Sequence, residues 1–343
     1  MNLSDFDYQL PDSQIAQHPA AEREASRMMT LDRQAGTFSD DEFARLPQHL
    51  RPGDLIVLNN TKVFPARLIG RSDTGAAVEI FLINRLTDTS WRALARPARR
   101  LKPGKGVTFG PELQGVIANH TNDGYVDVEF DFTGDFFEIL GRVGRTPLPP
   151  YIKREDAPGH RDAERYQTVF AKNVGAIAAP TAGLHFTDAV LDDVRSRGVN
   201  VTEITLHVGY GTFEPVRTDD LSRHAVMPER YEISPAAAEL LEAARRERRR
   251  IVAVGTTTTR ALETAVSKHG VIMPGDAVAD LTITPGYRFK AVNALLTNFH
   301  LPRSSLLILV STFGGHELIM KAYRHAVAAG YRFYSYGDCM FIQ

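Results

Sequence analysis

The chain carries a single cysteine, Cys339, among 343 residues. One thiol excludes an internal disulfide and leaves no cysteine-based zinc site. Long apolar runs are missing too. The longest, Leu306–Val310 with its neighbours, is far too short to span a bilayer. Neither sign of charge dominates: 40 Lys and Arg stand against 41 Asp and Glu, for a formal net charge of −1. Any nucleic-acid contact must therefore come from a local basic patch. The N-terminal stretch MNLSDFDYQLPDSQIAQ is acidic and polar, unlike a secretion signal, so a cytoplasmic enzyme is the expectation. GxSxG, HExxH and acidic metal clusters are absent, so neither a hydrolase elbow nor a metal mechanism is indicated. What remains is an ordinary balance of 43% hydrophobic and 24% charged residues. The length suits one large domain with a smaller companion.

In the C-terminal half, strand and helix patterns alternate. Gly175–Ala179 reads as a buried strand, followed by a helix over 187–197 capped by Thr187 and stopped by Gly198. A strand over 199–208 follows. Ser234-Pro235 opens a helix through Arg250, with serine as N-cap and proline at the first helical position. Strand Ile251–Val254, a helix to Lys268, a strand over 278–284, a helix over 317–329 and a strand over 331–336 complete the series. This alternation predicts an α/β layered catalytic domain with a mostly parallel sheet. Residues 66–132 differ: six short β-like runs follow one another without a helix, and Asn122-Asp123-Gly124 is a hairpin signal. They predict an inserted small β-barrel domain over 66–132, with the α/β domain formed by 1–65 and 133–343. The insert is rich in Arg and Lys, which suits phosphate backbones or simply a solvated strand face. The run Arg245–Arg250, at a helix C-terminus, reads as solvated surface.

Chemistry concentrates at the ends of the predicted strands, where α/β sheets bind ligands. In IVAVGTTTTRALET (251–264), a strand ends in glycine and four threonines that open a helix. Free backbone N–H groups and the helix dipole make Gly255–Arg260 a seat for an anion, with Arg260 as a charged fork; alternatively the threonines only cap the helix. In AAPTAGLHFT (178–187), His185 stands just before a helix cap and suits either proton transfer or a structural hydrogen bond. HVGYGTF (207–213) offers histidine, glycines that allow close approach, and Tyr210 or Phe213 to stack on a base or pack in a bend. His300 and Arg303 lie in the polar loop 297–305, ahead of an apolar segment capped by Ser304 or Ser305. Asn59–Lys62 is a further polar tip, and Asp338 can order a histidine or bind a hydroxyl.

Together these segments resemble one family, the S-adenosylmethionine:tRNA ribosyltransferase-isomerases of queuosine biosynthesis. The matching stretches are NNTKVFPARL (59–68), LPPYI (148–152), RYQTVFAKN (165–173), AAPTAGLHFT (178–187), HVGYGTFEPV (207–216), VGTTTTRALE (254–263), PGYRFK (285–290), TNFHLPRSSLL (297–307) and YRFYSYGDCMF (331–341). They fall in the family's order over nearly the whole chain. The resemblance implies that S-adenosylmethionine is consumed as a substrate and that no cofactor or metal is needed. Its ribosyl unit is transferred and isomerised onto 7-aminomethyl-7-deazaguanine at the wobble position of tRNA, giving epoxyqueuosine, adenine and methionine. It also implies a contact with the anticodon arm; with no obligate-dimer pattern in the sequence, a monomer that does not engage membranes is expected.

On that resemblance, His185 and His300 are the candidates for proton transfer, with His207 in reserve. Substrate contacts are expected from Thr181, Gly183, His207, Gly209, Tyr210, Gly211, Gly255, Thr256, Thr257, Thr258, Thr259, Arg260, Asn298 and Asp338. The Gly255–Arg260 turn is expected to hold either the methionine carboxylate or a tRNA phosphate. Lys62, Arg67, Arg96, Arg99 and Arg303 are expected on tRNA. A non-catalytic RNA-binding protein with a basic β-module would explain the arginines but not the histidine, glycine and threonine at the strand ends. A methyltransferase is disfavoured because no glycine-rich loop follows an early strand.

Overall fold

The computed structural model describes residues 1–154, 160–213 and 215–343. Its larger part is built on a nine-stranded sheet whose centre runs Asn200–Leu206, Leu55–Asn59, Ile251–Val254, Ala294–Asn298, all parallel. These strands read as almost uninterrupted apolar runs because both faces are covered. Leu55, Val57, Ile251, Ala253 and Leu295 point into one core, and Ile56, Leu58, Val252, Val254 and Leu296 into the other. The helices Pro235–Arg246, Thr256–His269, Ser305–Gly314 and His316–Ala328 contribute to the first core; Asp188–Ser196 and the 3-10 turn Phe43–His49 contribute to the second. Antiparallel strands flank the centre. Glu229–Ile233 and Gly275–Ala279 lie on one side, and Cys339–Ile342, with Arg27–Asp32 and Thr37–Glu42 beyond it, on the other.

The smaller part is a closed antiparallel barrel of six strands: Arg67–Ser72, Ala77–Arg85, Ser90–Arg96, Val126–Asp131, Gln114–His120 and Gly106–Thr108, with the last pairing back onto the first. Strict alternation sends Leu68, Ile80, Leu82, Ala93, Val128 and Ile117 inward. The turn at Asn122–Gly124 links two antiparallel strands as its sequence predicts, with Gly124 at φ 88°. The barrel core also takes Phe136, Ile139 and Leu140 from the helix Phe136–Val143, which follows the last barrel strand.

The caps follow the sequence closely. Thr187, Ser234 and Ser304 each accept a hydrogen bond from the backbone N–H three residues on, and Gly270 closes the threonine helix in the left-handed conformation. Elsewhere the structure corrects the sequence reading. The segment 331–336 is not a strand: Tyr334 lies at φ 74°, the Gly337 N–H donates to the Tyr334 carbonyl, and the strand comes later, at Cys339–Ile342. The strand expected over 278–284 is Gly275–Ala279, and it stops where Arg260 captures the carbonyls of Ala279 and Leu281. Nor is Arg250 solvated surface. It is largely buried on Asp54, 2.5 Å away, and donates to the His49 carbonyl and the Gln343 side chain.

A cleft at the carboxyl ends of the parallel strands

Four parallel strands deliver their C-terminal tips to one edge of the sheet: Asn59–Thr61, His207–Gly209, Gly255–Thr257 and Asn298–His300. Strand Cys339–Ile342 runs antiparallel to Ala294–Asn298, so the turn that precedes it, 334–338, arrives at this same edge. A cleft opens there, lined by Tyr151, Tyr166, Pro180, Thr181, Gly255, Thr256, Thr257, Thr297, Asn298, His300, Leu306, Tyr334 and Ser335, among others. No ionised side chain lines it among the described residues, because its histidine is held neutral.

His300 stands in the cleft wall. A ring nitrogen lies 2.9 Å from the Thr297 hydroxyl; the backbone N–H donates to the Tyr323 hydroxyl, and the backbone carbonyl accepts from the Tyr8 hydroxyl. The residue is thus held at three points, two on its backbone and one on the ring. His185 lies one layer back, against the ring of Phe43, with Nε2 3.2 Å from the Asn298 amide nitrogen. The Asn298 oxygen accepts from the Thr181 hydroxyl at 2.8 Å, so His185 reaches the cleft through Asn298. Burial pushes His300 down to about 3, and burial assisted by Arg23 and Arg332 pushes His185 down to about 4. Both rings are neutral near pH 7 and each keeps a lone pair, although the burial that holds them neutral disfavours the protonated form.

The depressed values also make the fold acid-sensitive. In the unfolded chain these imidazoles take up protons below about pH 6.5, whereas in the fold they stay neutral until about 4 and 3. Their contribution to stability is complete above about pH 6.5 and is lost as pH falls through the folded values, on the order of several kcal/mol. Urea midpoints measured across that range should fall toward acid. His300→Asn should flatten part of the fall; an unchanged slope would exclude a neutral buried His300.

The threonine turn divides into two halves. Gly255 takes φ 91°, a conformation suited to glycine, and starts the helix with no side-chain cap. The Thr259 N–H is the first to bond back, to the Gly255 carbonyl, so the N–H groups of Thr256, Thr257 and Thr258 precede the helical ladder. Thr256 and Thr257 line the cleft, and the buried Thr257 hydroxyl has no partner. Thr258 and Thr259 instead donate back to the carbonyls of Val254 and Gly255. Arg260, expected as a charged fork for the anion, is engaged within the protein. It is buried against Glu229 at 2.6 Å and donates to three carbonyls.

Other expected contacts are also internal. Asp338 is buried and accepts from the N–H groups of Arg27 and Arg332, fastening the turn before the last strand. Gly183 packs under Phe170 and Thr168, where a Cβ would lie 2.8 Å from each. His207 bonds the Thr61 hydroxyl at 2.8 Å over Gly175, apart from the cleft lining, and burial lowers its pKa. The Gly209 N–H donates to Glu229. Gly211 borders a neighbouring chamber, and Tyr210 rests near Phe81 on the barrel. The Phe213 side chain falls outside the described residues. Sequence reasoning gave no role to Tyr151, Tyr166, Tyr334 and Ser335, although all four lie in stretches that carry the resemblance. The Tyr151 ring meets Tyr334 edge-on with centroids 3.9 Å apart, and its hydroxyl bonds Ser335. The left-handed backbone of Tyr334 is a feature that no sequence pattern reveals.

Among the expected tRNA contacts, Lys62, Arg96 and Arg99 are exposed. Arg67 pairs with Glu79 and Arg303 with Asp7. The outer face of the barrel carries Arg67, Arg71, Phe81, Arg92 and Arg96 on three neighbouring strands, with Arg96 opposite Glu79. The Phe81–Tyr210 contact joins this face to the loop after strand Asn200–Leu206.

Comparison with known proteins agrees with this geometry. A family model described as "Queuosine biosynthesis protein" matches residues 3–342. The S-adenosylmethionine:tRNA ribosyltransferase-isomerases of Syntrophotalea carbinolica and Symbiobacterium thermophilum are 48% and 49% identical to this chain, each over 344 residues and 100% of both sequences. A crystal structure of the S-adenosylmethionine tRNA ribosyltransferase from Thermotoga maritima is similar with a TM-score of 0.57 and 36% identity, covering 99% of this chain and 100% of that one.

Proposed function

The chain belongs to the queuosine biosynthesis protein family, and from that membership we propose that it is an S-adenosylmethionine:tRNA ribosyltransferase-isomerase acting in the cleft between Thr256, His300 and Tyr334. The observation that carries this reading is full-length identity near one half to enzymes of that name. The cleft chemistry supports it. A sulfonium acidifies the adjacent C5′–H, and a lining without carboxylates leaves that pull uncompensated. The His300 imidazole, neutral and held by Thr297 in the wall, offers a lone pair for removing that proton. Loss of adenine, attack by the aminomethyl group of the deazaguanine and closure of the epoxide with loss of methionine then follow.

We assign proton abstraction to His300 and a positioning role, through Asn298, to His185. Tyr151, Tyr166 and Tyr334 supply faces and edges for a purine-like ring. The target base must leave the anticodon stack to enter the cleft. The barrel face with Arg96 and Arg99, together with Lys62, takes the tRNA backbone. We read the enzyme as a cytoplasmic monomer, in keeping with its reading as a tRNA-modifying enzyme. No helix among the described residues is long and apolar enough to cross a membrane. Nucleoside analysis of tRNA carrying 7-aminomethyl-7-deazaguanine, after incubation with S-adenosylmethionine and the protein, tests this. Conversion to epoxyqueuosine is expected; tRNA of unchanged nucleoside composition would overturn the proposal.

A further inference from the structure

Behind the threonine turn lies a second, narrow and largely filled space, bounded by Thr256, Thr257, Thr282, Ile283, Leu306 and Leu309 among others. Thr256, Thr257 and Leu306 face both spaces. Two helices begin at this wall, Thr256–His269 and Ser305–Gly314, so their positive ends converge on it. The wall is polar on one side and apolar on the other. Its only buried side-chain donor without a partner, among the described residues, is the Thr257 hydroxyl.

We propose that the cleft side of this wall seats the amino-acid arm of S-adenosylmethionine, with the α-carboxylate on the Thr256–Thr257 end of the helix and the methylene arm against Leu306. The inference rests on the reading of S-adenosylmethionine as substrate. A terminal carboxylate fits better than a tRNA phosphate because Thr256 and Thr257 are only 6% and 7% exposed. A phosphodiester would have to bring its neighbouring nucleotides into the same enclosed space. Arg260 contributes no free charge, so the seat is made by backbone dipoles and one hydroxyl.

Thr257→Val keeps the side-chain shape and removes the hydroxyl. Calorimetry should show S-adenosylmethionine binding about ten- to a hundredfold more weakly, the range of a hydrogen bond to a charged group. Decarboxylated S-adenosylmethionine should bind wild type and variant alike, and tRNA affinity should not change. Thr257→Ser should restore S-adenosylmethionine binding. The ligand-free variant should melt no lower than wild type, since the lost hydroxyl has no partner. Equal losses for both ligands, no loss for either, or a loss confined to tRNA would overturn the inference. Failure of the wild-type protein to modify tRNA would instead count against the functional reading on which it rests.

Discussion

His300→Ala is expected to lower the rate constant for adenine release by about 10²- to 10⁴-fold, the range for removing a positioned general base. S-adenosylmethionine binding should stay within a few-fold, because the ring donates no charge to the cleft. The prediction follows from the clamp on the residue: Tyr8 and Tyr323 hold its backbone and Thr297 holds its ring, an arrangement that fixes a base at the cleft wall. His185→Ala should cost less, about tenfold, since that ring acts on Asn298 and not on the reacting carbon. His185→Gln, which can still bond Asn298, should recover most of the rate. A split in which His185→Ala is the inactive variant and His300→Ala turns over normally would reverse the two roles. Single-turnover adenine release with saturating tRNA measures the difference directly.

Arg96→Glu combined with Arg99→Glu is expected to weaken tRNA binding by about 10²-fold at low salt and to reduce the salt slope by about 2. Both side chains are exposed. Arg67→Glu should have a smaller effect because its guanidinium is already paired with Glu79 at 2.7 Å. Affinity for S-adenosylmethionine should be untouched by any of the three, since the barrel contributes nothing to the cleft lining. Filter binding across a salt series would show it. An unchanged slope in the double variant would move the tRNA to another face.

The sequence made the two-part architecture legible because each part has its own period. Uninterrupted apolar strands alternate with capped helices in one part, and period-2 strands with turn residues form the other. Thr187 and Ser234 marked helix starts through local chemistry, which needs no tertiary information. The candidate site was legible as a set of strand tips, but not as a division of labour. Thr256 and Thr258 look alike in sequence; only helix geometry sends one to the cleft and the other back to Val254. Arg260 reads as an anion fork until strand Glu229–Ile233 brings Glu229 beside it, 31 residues away in the chain. Asp338, similarly, is spent on two backbone N–H groups, one from Arg332 close by and one from Arg27 at the other end of the chain. The tyrosine wall depends on the turn at Tyr334 and on the stretch around Tyr151 meeting from opposite halves of the chain.

The central claim is that this cleft uses S-adenosylmethionine as a ribosyl donor. Chromatography of the small-molecule products, after reaction with tRNA carrying 7-aminomethyl-7-deazaguanine, tests it most directly. Adenine and methionine in equal amounts, matched to modified tRNA, are predicted. Adenosylhomocysteine would identify a methyltransferase, and intact S-adenosylmethionine beside tightly bound tRNA would identify a binding protein; either result would contradict the account.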